Sequence, residues 1–189
     1  TLSSSSAASD VYKRQLSTSP MNKRLVEEFK SQTNFRFDEG LRMVNLALNK
    51  TTETQLWQLP YDGGMRLGNQ LLHMAGNLRQ YVLSGVGKQE DSRNRPIEFE
   101  TKEGKTKKEL INSLTNTVQE AKEVINQTSQ EELIKNYILQ GLRLSGLGAV
   151  LHAVEHFSYH TGQIAFCVKQ FTGEDLGFYA TLDLNQKNS

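Results

Sequence analysis

All four histidines of this 189-residue chain fall in two short stretches: His73 in one, and His152, His156 and His160 in the other. Residues four apart stack on one face of a helix. At 3.6 residues per turn the last three histidines span an arc of roughly 80°. Ala149, Gln163 and Cys167 fall on the same arc, and Val150, Phe157, Ile164, Val168 and Phe171 on the adjoining side, so the row borders an apolar core. Neutral imidazole is the commonest protein ligand for zinc, nickel and iron. A helical i, i+4 pair can offer two nitrogens to one ion, and His73 is the one histidine left to supply a third. Its own helical row (Asn69, Gly76, Asn77, Gln80) is small and amide-rich, as suits a polar pocket inside a bundle. Three histidines would leave a coordination position open, the mark of a catalytic rather than a structural ion. Spacing alone leaves this reading level with that of hydrogen-bonded histidines.

Two other chemistries can be weighed on the same residues. His152-Ala-Val-Glu155-His156 matches H-x-x-E-H, a metallopeptidase signature with Glu155 as general base. Only 33 residues follow His156, too little chain to build a peptidase cleft around it. No Ser-His-Asp or Cys-His arrangement supplies a protein nucleophile, and Cys167, two turns beyond His160, reads as a small core residue.

The elements that must position these residues are helical. Periodic apolar residues predict helices over about 23–47 (Leu25, Val26, Phe29, Phe35, Leu41, Val44, with Leu48 just beyond), 66–83, 106–126 and 147–171. Gly40 weakens the first. Pro60 and the Gly63-Gly64 pair bar a helix from the link after it, where Trp57 and Tyr61 read as packing or interface residues. Thr106 and Glu109 form a capping-box pattern, and Gly173 closes the last helix. The charged stretch 88–104 is too long for a tight turn and suits a crossover. Residues 129–146 are ambiguous between a short helix and a strand or extended link. The fold expected is all-α, a four-helix bundle with a long crossover between its second and third helices.

Three separated motifs occur in order: His73-Met-Ala-Gly76-Asn77-Leu-Arg79-Gln80, Arg93-Asn-Arg95-Pro-Ile-Glu98-Phe99, and Glu155-His156-Phe-Ser-Tyr159-His160-Thr-Gly162-Gln163-Ile164. Over about residues 21–179 the chain resembles the DinB-like superfamily of metal-binding four-helix bundles, in an uncharacterised branch. The resemblance implies a divalent metal (Zn, Ni, Fe or Mn, with Zn or Ni favoured) on His73, His156 and His160, with His152 outside the ligand set. It implies a homodimer and a small-molecule substrate. Some members are transferases or isomerases that use a low-molecular-weight thiol, and others are hydrolases; a fold does not choose between them. The expected activity is an S-transferase using a bacillithiol-, mycothiol- or glutathione-like thiol on small electrophiles. The alternatives are a metal-dependent hydrolase or a non-catalytic, metal-stabilised dimer. Gln163 and Glu155 are expected around the ligands. Asn77, Arg79, Arg93, Arg95 and Tyr159 are expected to orient ligands or substrate.

Composition narrows the rest. With 22 basic and 21 acidic residues the chain has no charge footprint for nucleic acid or a membrane surface. No apolar run reaches the roughly 18–20 residues of a membrane span. A single Cys cannot staple a secreted scaffold, so a cytoplasmic location is expected. Residues 1–20, Ser-rich and aperiodic, are expected to be a non-native or disordered extension ending at Pro20; the domain is expected over 21–180, with a tail over 181–189. Setting that extension aside leaves 20 basic and 20 acidic residues.

Overall fold

The computed structural model describes residues 20–188, so the expected N-terminal extension lies almost wholly outside the described residues. Four long elements carry the fold. They are α1 (Pro20–Leu48), then, beyond the short α2 (Glu53–Trp57), α3 (Leu67–Leu78) with a π-helical continuation (Arg79–Val86). The short α4 (Arg95–Glu100) lies in the crossover, followed by α5 (Lys107–Gln127) and the small α6 (Gln130–Ile134). An antiparallel hairpin of β1 (Asn136–Leu139) and β2 (Leu142–Ser145) then leads into α7 (Gly146–Thr172). α1 packs on α7 and α5, and α3 packs on α5 and α7, which closes a four-helix bundle. The architecture and the crossover are those expected from the sequence.

Local chemistry sets the boundaries. The Thr106 hydroxyl accepts from the Glu109 backbone N–H, and the Glu109 carboxylate accepts from that of Thr106, so the capping box forms at the start of α5. Thr52 and Gln55 form a second one, which starts α2 ahead of Pro60 and so puts one short helix in the link from which the sequence reading barred any. Gly173 ends α7 at φ 68°, a left-handed conformation that costs glycine little. The ambiguous stretch becomes α6 plus the hairpin, because Gln140 and Gly141 both take positive φ (50° and 79°), the requirement of a two-residue turn.

One part of the expected core is corrected. Phe35 is 53% exposed and Leu25 61%, whereas Phe37 is fully buried. Phe37, Gly40, Val44, Ala47 and Leu48 form the inner face of α1, and a residue two positions from Phe37 points about 200° away. Gly40 is what lets α1 approach α7: a Cβ there would meet the Phe157 ring at 2.8 Å. Phe157 in turn meets Phe37 edge-on, centroids 5.5 Å apart. None of the described helices is long and apolar enough to cross a membrane.

Candidate metal centre

α3 and α7 bring His73, His156 and His160 together, one ligating nitrogen from each lying within 4.8 Å of the others. The fourth histidine does not join them. His152 stacks on Tyr81, centroids 4.1 Å apart, where the π-helical continuation of α3 passes. π-Helical segments are rare and often mark functional sites. The H-x-x-E-H peptidase arrangement is therefore not assembled: His152 is turned to Tyr81, and Glu155 is exposed on the side of α7 facing Arg36 and Met43 of α1.

The ring nitrogens are poised for a cation. His73 Nδ1 lies 2.7 Å from Glu98 Oε2. A carboxylate can only accept, so Nδ1 donates to Glu98, and the other ring nitrogen, Nε2, is the one turned towards His156. That Nε2 is 3.0 Å from His156 Nε2, and two nitrogens this close need a proton or a cation between them. His160 Nδ1 is buried without a hydrogen-bond partner. Burial, with help from the charges of His160, His73, His152 and Arg93, pushes the His156 imidazole down to about 3. Burial and His73 push His160 down to about 4, against Gln163, which favours the charged ring. Burial also lowers His152, opposed by Glu155. His156 and His160 are thus neutral at pH 7, the form that binds metal. These donors could hold a metal ion.

Glu98 is the residue whose role the sequence reading missed. Its side chain is buried in α4, and Arg93 grips it with Nε at 2.7 Å and Nη2 at 2.8 Å. Burial raises the Glu98 carboxyl, but the hydrogen bonds and charges of Arg93 and His73 outweigh it and hold it low. Arg93 also donates to Gln80 Oε1 at 2.9 Å, and Gln80 donates to Asp91 at 2.8 Å. Asn69 Nδ2 donates to the carbonyls of Glu98 (2.9 Å) and Thr101 (2.6 Å), which fastens α4 to α3. Gly76 has to be a glycine here, because a Cβ would collide with the Glu98 carboxylate. A histidine whose second nitrogen is held by a carboxylate is the usual support for a metal ligand. The one signal for it in the sequence is a glutamate five residues after Arg93, but no helical period joins that pair to His73.

The other expected residues are dispersed around this centre. Gln163 lies beside His160 and favours its charged form. Exposed Tyr159 meets the His160 ring edge-on at 5.2 Å. Asn77 is buried, with Nδ2 3.5 Å from His152 Nε2 and no partner on Oδ1. Arg95 is exposed and lies over Phe99, 4.7 Å from its centroid, and Phe99 lies against His73 at 4.9 Å. Arg79 is exposed beside Arg93 and Asn94. Cys167 is buried, its thiol pushed up to about 11 by that burial, as suits a packed residue.

The model of the family described as "Protein of unknown function (DUF1572)" matches residues 24–185. The chain belongs to this family. In fold this chain is similar to solved structures of DinB-like proteins. A DinB-like protein from Bacillus cereus superposes with TM-score 0.61 at 16% identity, covering 77% of this chain and 91% of its own. A DinB-like protein from Bacillus subtilis gives 0.59 at 15% identity, covering 84% and 99%. A conserved protein from Enterococcus faecalis gives 0.58 at 17%, covering 80% and 97%. At these identities the likeness is one of fold. No curated protein matches the DUF1572 chain.

The depressed histidines set a pH dependence. An unfolded histidine titrates near 6.5. As pH falls below that value the unfolded chain takes up protons that folded His156 and His160 refuse until about 3 and 4. Stability of the metal-stripped protein should therefore be level above about pH 7 and decline steadily towards pH 4. Urea midpoints at pH 7.5, 6 and 4.5 measure this, and a His156→Ala protein should show a shallower slope. Equal slopes would mean that these rings are not the groups responsible.

Proposed function

We propose that this DUF1572 protein is a metal-dependent enzyme that transfers a low-molecular-weight thiol to small electrophiles. The observation that carries the reading is the meeting of three imidazoles, those of His156 and His160 held neutral at pH 7, which no carboxylate or fourth histidine joins among the described residues. A divalent ion bound there would keep its charge and an open position, and so lower the pKa of a thiol or water placed on it. His73, His156 and His160 hold the ion, and Glu98 with Arg93 fixes the proton on His73 Nδ1. Gln163 orients His160. Arg79 and Arg95, exposed and without an acidic partner among the described residues, supply cations at the rim for a carboxylate of a bacillithiol-, mycothiol- or glutathione-like thiol. A homodimer is part of this reading, supported by an apolar groove of about 750 Å³ between α1 and α7 that Met43, Leu151 and Val154 line.

The test is thiol consumption by zinc- or nickel-loaded protein against alkyl halide, epoxide and enone electrophiles. Metal-dependent loss of thiol together with the electrophile supports transfer. Metal-dependent ester or amide cleavage without thiol would instead establish the hydrolase. Metal uptake with no turnover of either kind would leave a stabilising ion in a non-catalytic bundle.

A further inference from the structure

Next to the histidines lies a cavity of about 500 Å³, between the segment that leads into α3 and the second half of α7. Tyr61, Met65, Gln70, Tyr159, Gln163 and Phe166 are among its lining residues, and none of the residues lining it carries a formal charge. Cys167, also in its wall, stays a neutral thiol. The cavity adjoins the candidate metal centre through Tyr159, edge-on to His160, and through Gln163, which acts on the His160 ring.

Two features specify what it holds. The first is its neutrality. A carboxylate entering this cavity would find no cation among its lining residues, since Arg93 is committed to Glu98 and Gln80. The aromatic rings of Tyr61, Tyr159 and Phe166 offer faces and edges to a planar apolar body instead. The second is Gln70. Its residue is 4% exposed, its Nε2 donates to the Met65 carbonyl, and its Oε1 is buried with no donor. A buried amide oxygen left unpaired is costly, and a ligand N–H or O–H would satisfy it.

We propose that this cavity is a binding site for an uncharged aromatic compound carrying an N–H or O–H donor, with Gln70 Oε1 as the acceptor. That such a compound is also the electrophile rests on the function proposed above; the selectivity of the cavity does not. The probes are benzamide, N,N-dimethylbenzamide and benzoate, titrated into metal-stripped protein and followed through the side-chain amide resonances of Gln70 and Gln163. Benzamide should bind saturably. Benzoate should bind at least about tenfold more weakly, because no lining residue offers its charge a countercharge. The dimethyl compound, which lacks the donor, should bind roughly 3–10-fold more weakly than benzamide, the usual worth of one hydrogen bond. Gln70→Leu should bring benzamide down to the dimethyl compound and leave the latter unchanged. Equal binding of benzoate and benzamide, equal binding of the two amides, or no saturable binding of benzamide to the unaltered protein would each overturn the proposal. Metal content measured on the untreated protein separates the two readings: a protein that takes up no metal yet keeps this selectivity retains the site and loses the proposed enzyme.

Discussion

A His160→Ala protein is expected to come through purification and dialysis without bound metal, while the unaltered protein retains roughly one ion per chain. His160 is the proposed ligand two turns into the row that starts with His152, and its buried Nδ1 has no hydrogen-bond partner. Its loss leaves two imidazoles, His73 and His156, and a hole on the third side. The same comparison can be made by thermal melting. An ion at a thousand times its Kd stabilises the folded state by about 4 kcal/mol, which in a chain of this size raises Tm by about 8–16 °C. Zinc or nickel should produce that rise in the unaltered protein and little or none in the variant. His152→Ala is the control: His152 stacks on Tyr81, outside the trio, and its removal should leave the metal-dependent rise intact. A rise abolished equally by both substitutions would place the ion elsewhere.

The second large effect is expected at Glu98. The Arg93–Glu98 pair is buried, with side chains 3% and 8% exposed. Removing one partner of a buried pair strands the other charge, at a cost of about 3–5 kcal/mol. Glu98→Ala should therefore lower stability by that order and weaken metal binding about 10–100-fold through loss of the His73 support. These two consequences can be pulled apart. Replacing both charges, as Arg93→Met with Glu98→Leu, removes the stranded guanidinium and should restore most of the stability. It should not restore metal affinity, because nothing then fixes the proton on His73 Nδ1. If affinity returned together with stability, Glu98 would be a structural residue alone. Urea unfolding and competition with a chromogenic chelator provide the two measurements.

Much of this protein was legible in the sequence because its information is local. The helical period of α5, from Leu110 to Ile125, and the Thr106–Glu109 capping box are written within a few residues of one another. So is the i, i+4 spacing of His156 and His160, which any helix converts into a shared face. The long charged crossover announced itself by length and composition. Phe35 misled the reading because it is as apolar as Phe37, and only the packing of α1 against α7 and α5 decides which of the two faces inward.

What the tertiary structure alone decided is how the pieces meet. His152 has the same spacing as its neighbours but falls beside Tyr81 where α3 widens into a π-helix, so the row of three divides into two that join His73 and one that does not. Glu98 is 25 residues from His73 along the chain, and their 2.7 Å contact exists because Asn69 fastens α4 to α3 and Gly76 leaves room for a carboxylate. Spacing along one helix dictates which side chains share a face. Which faces meet, and which charges are stripped of water when they do, depends on the close packing of several elements at once.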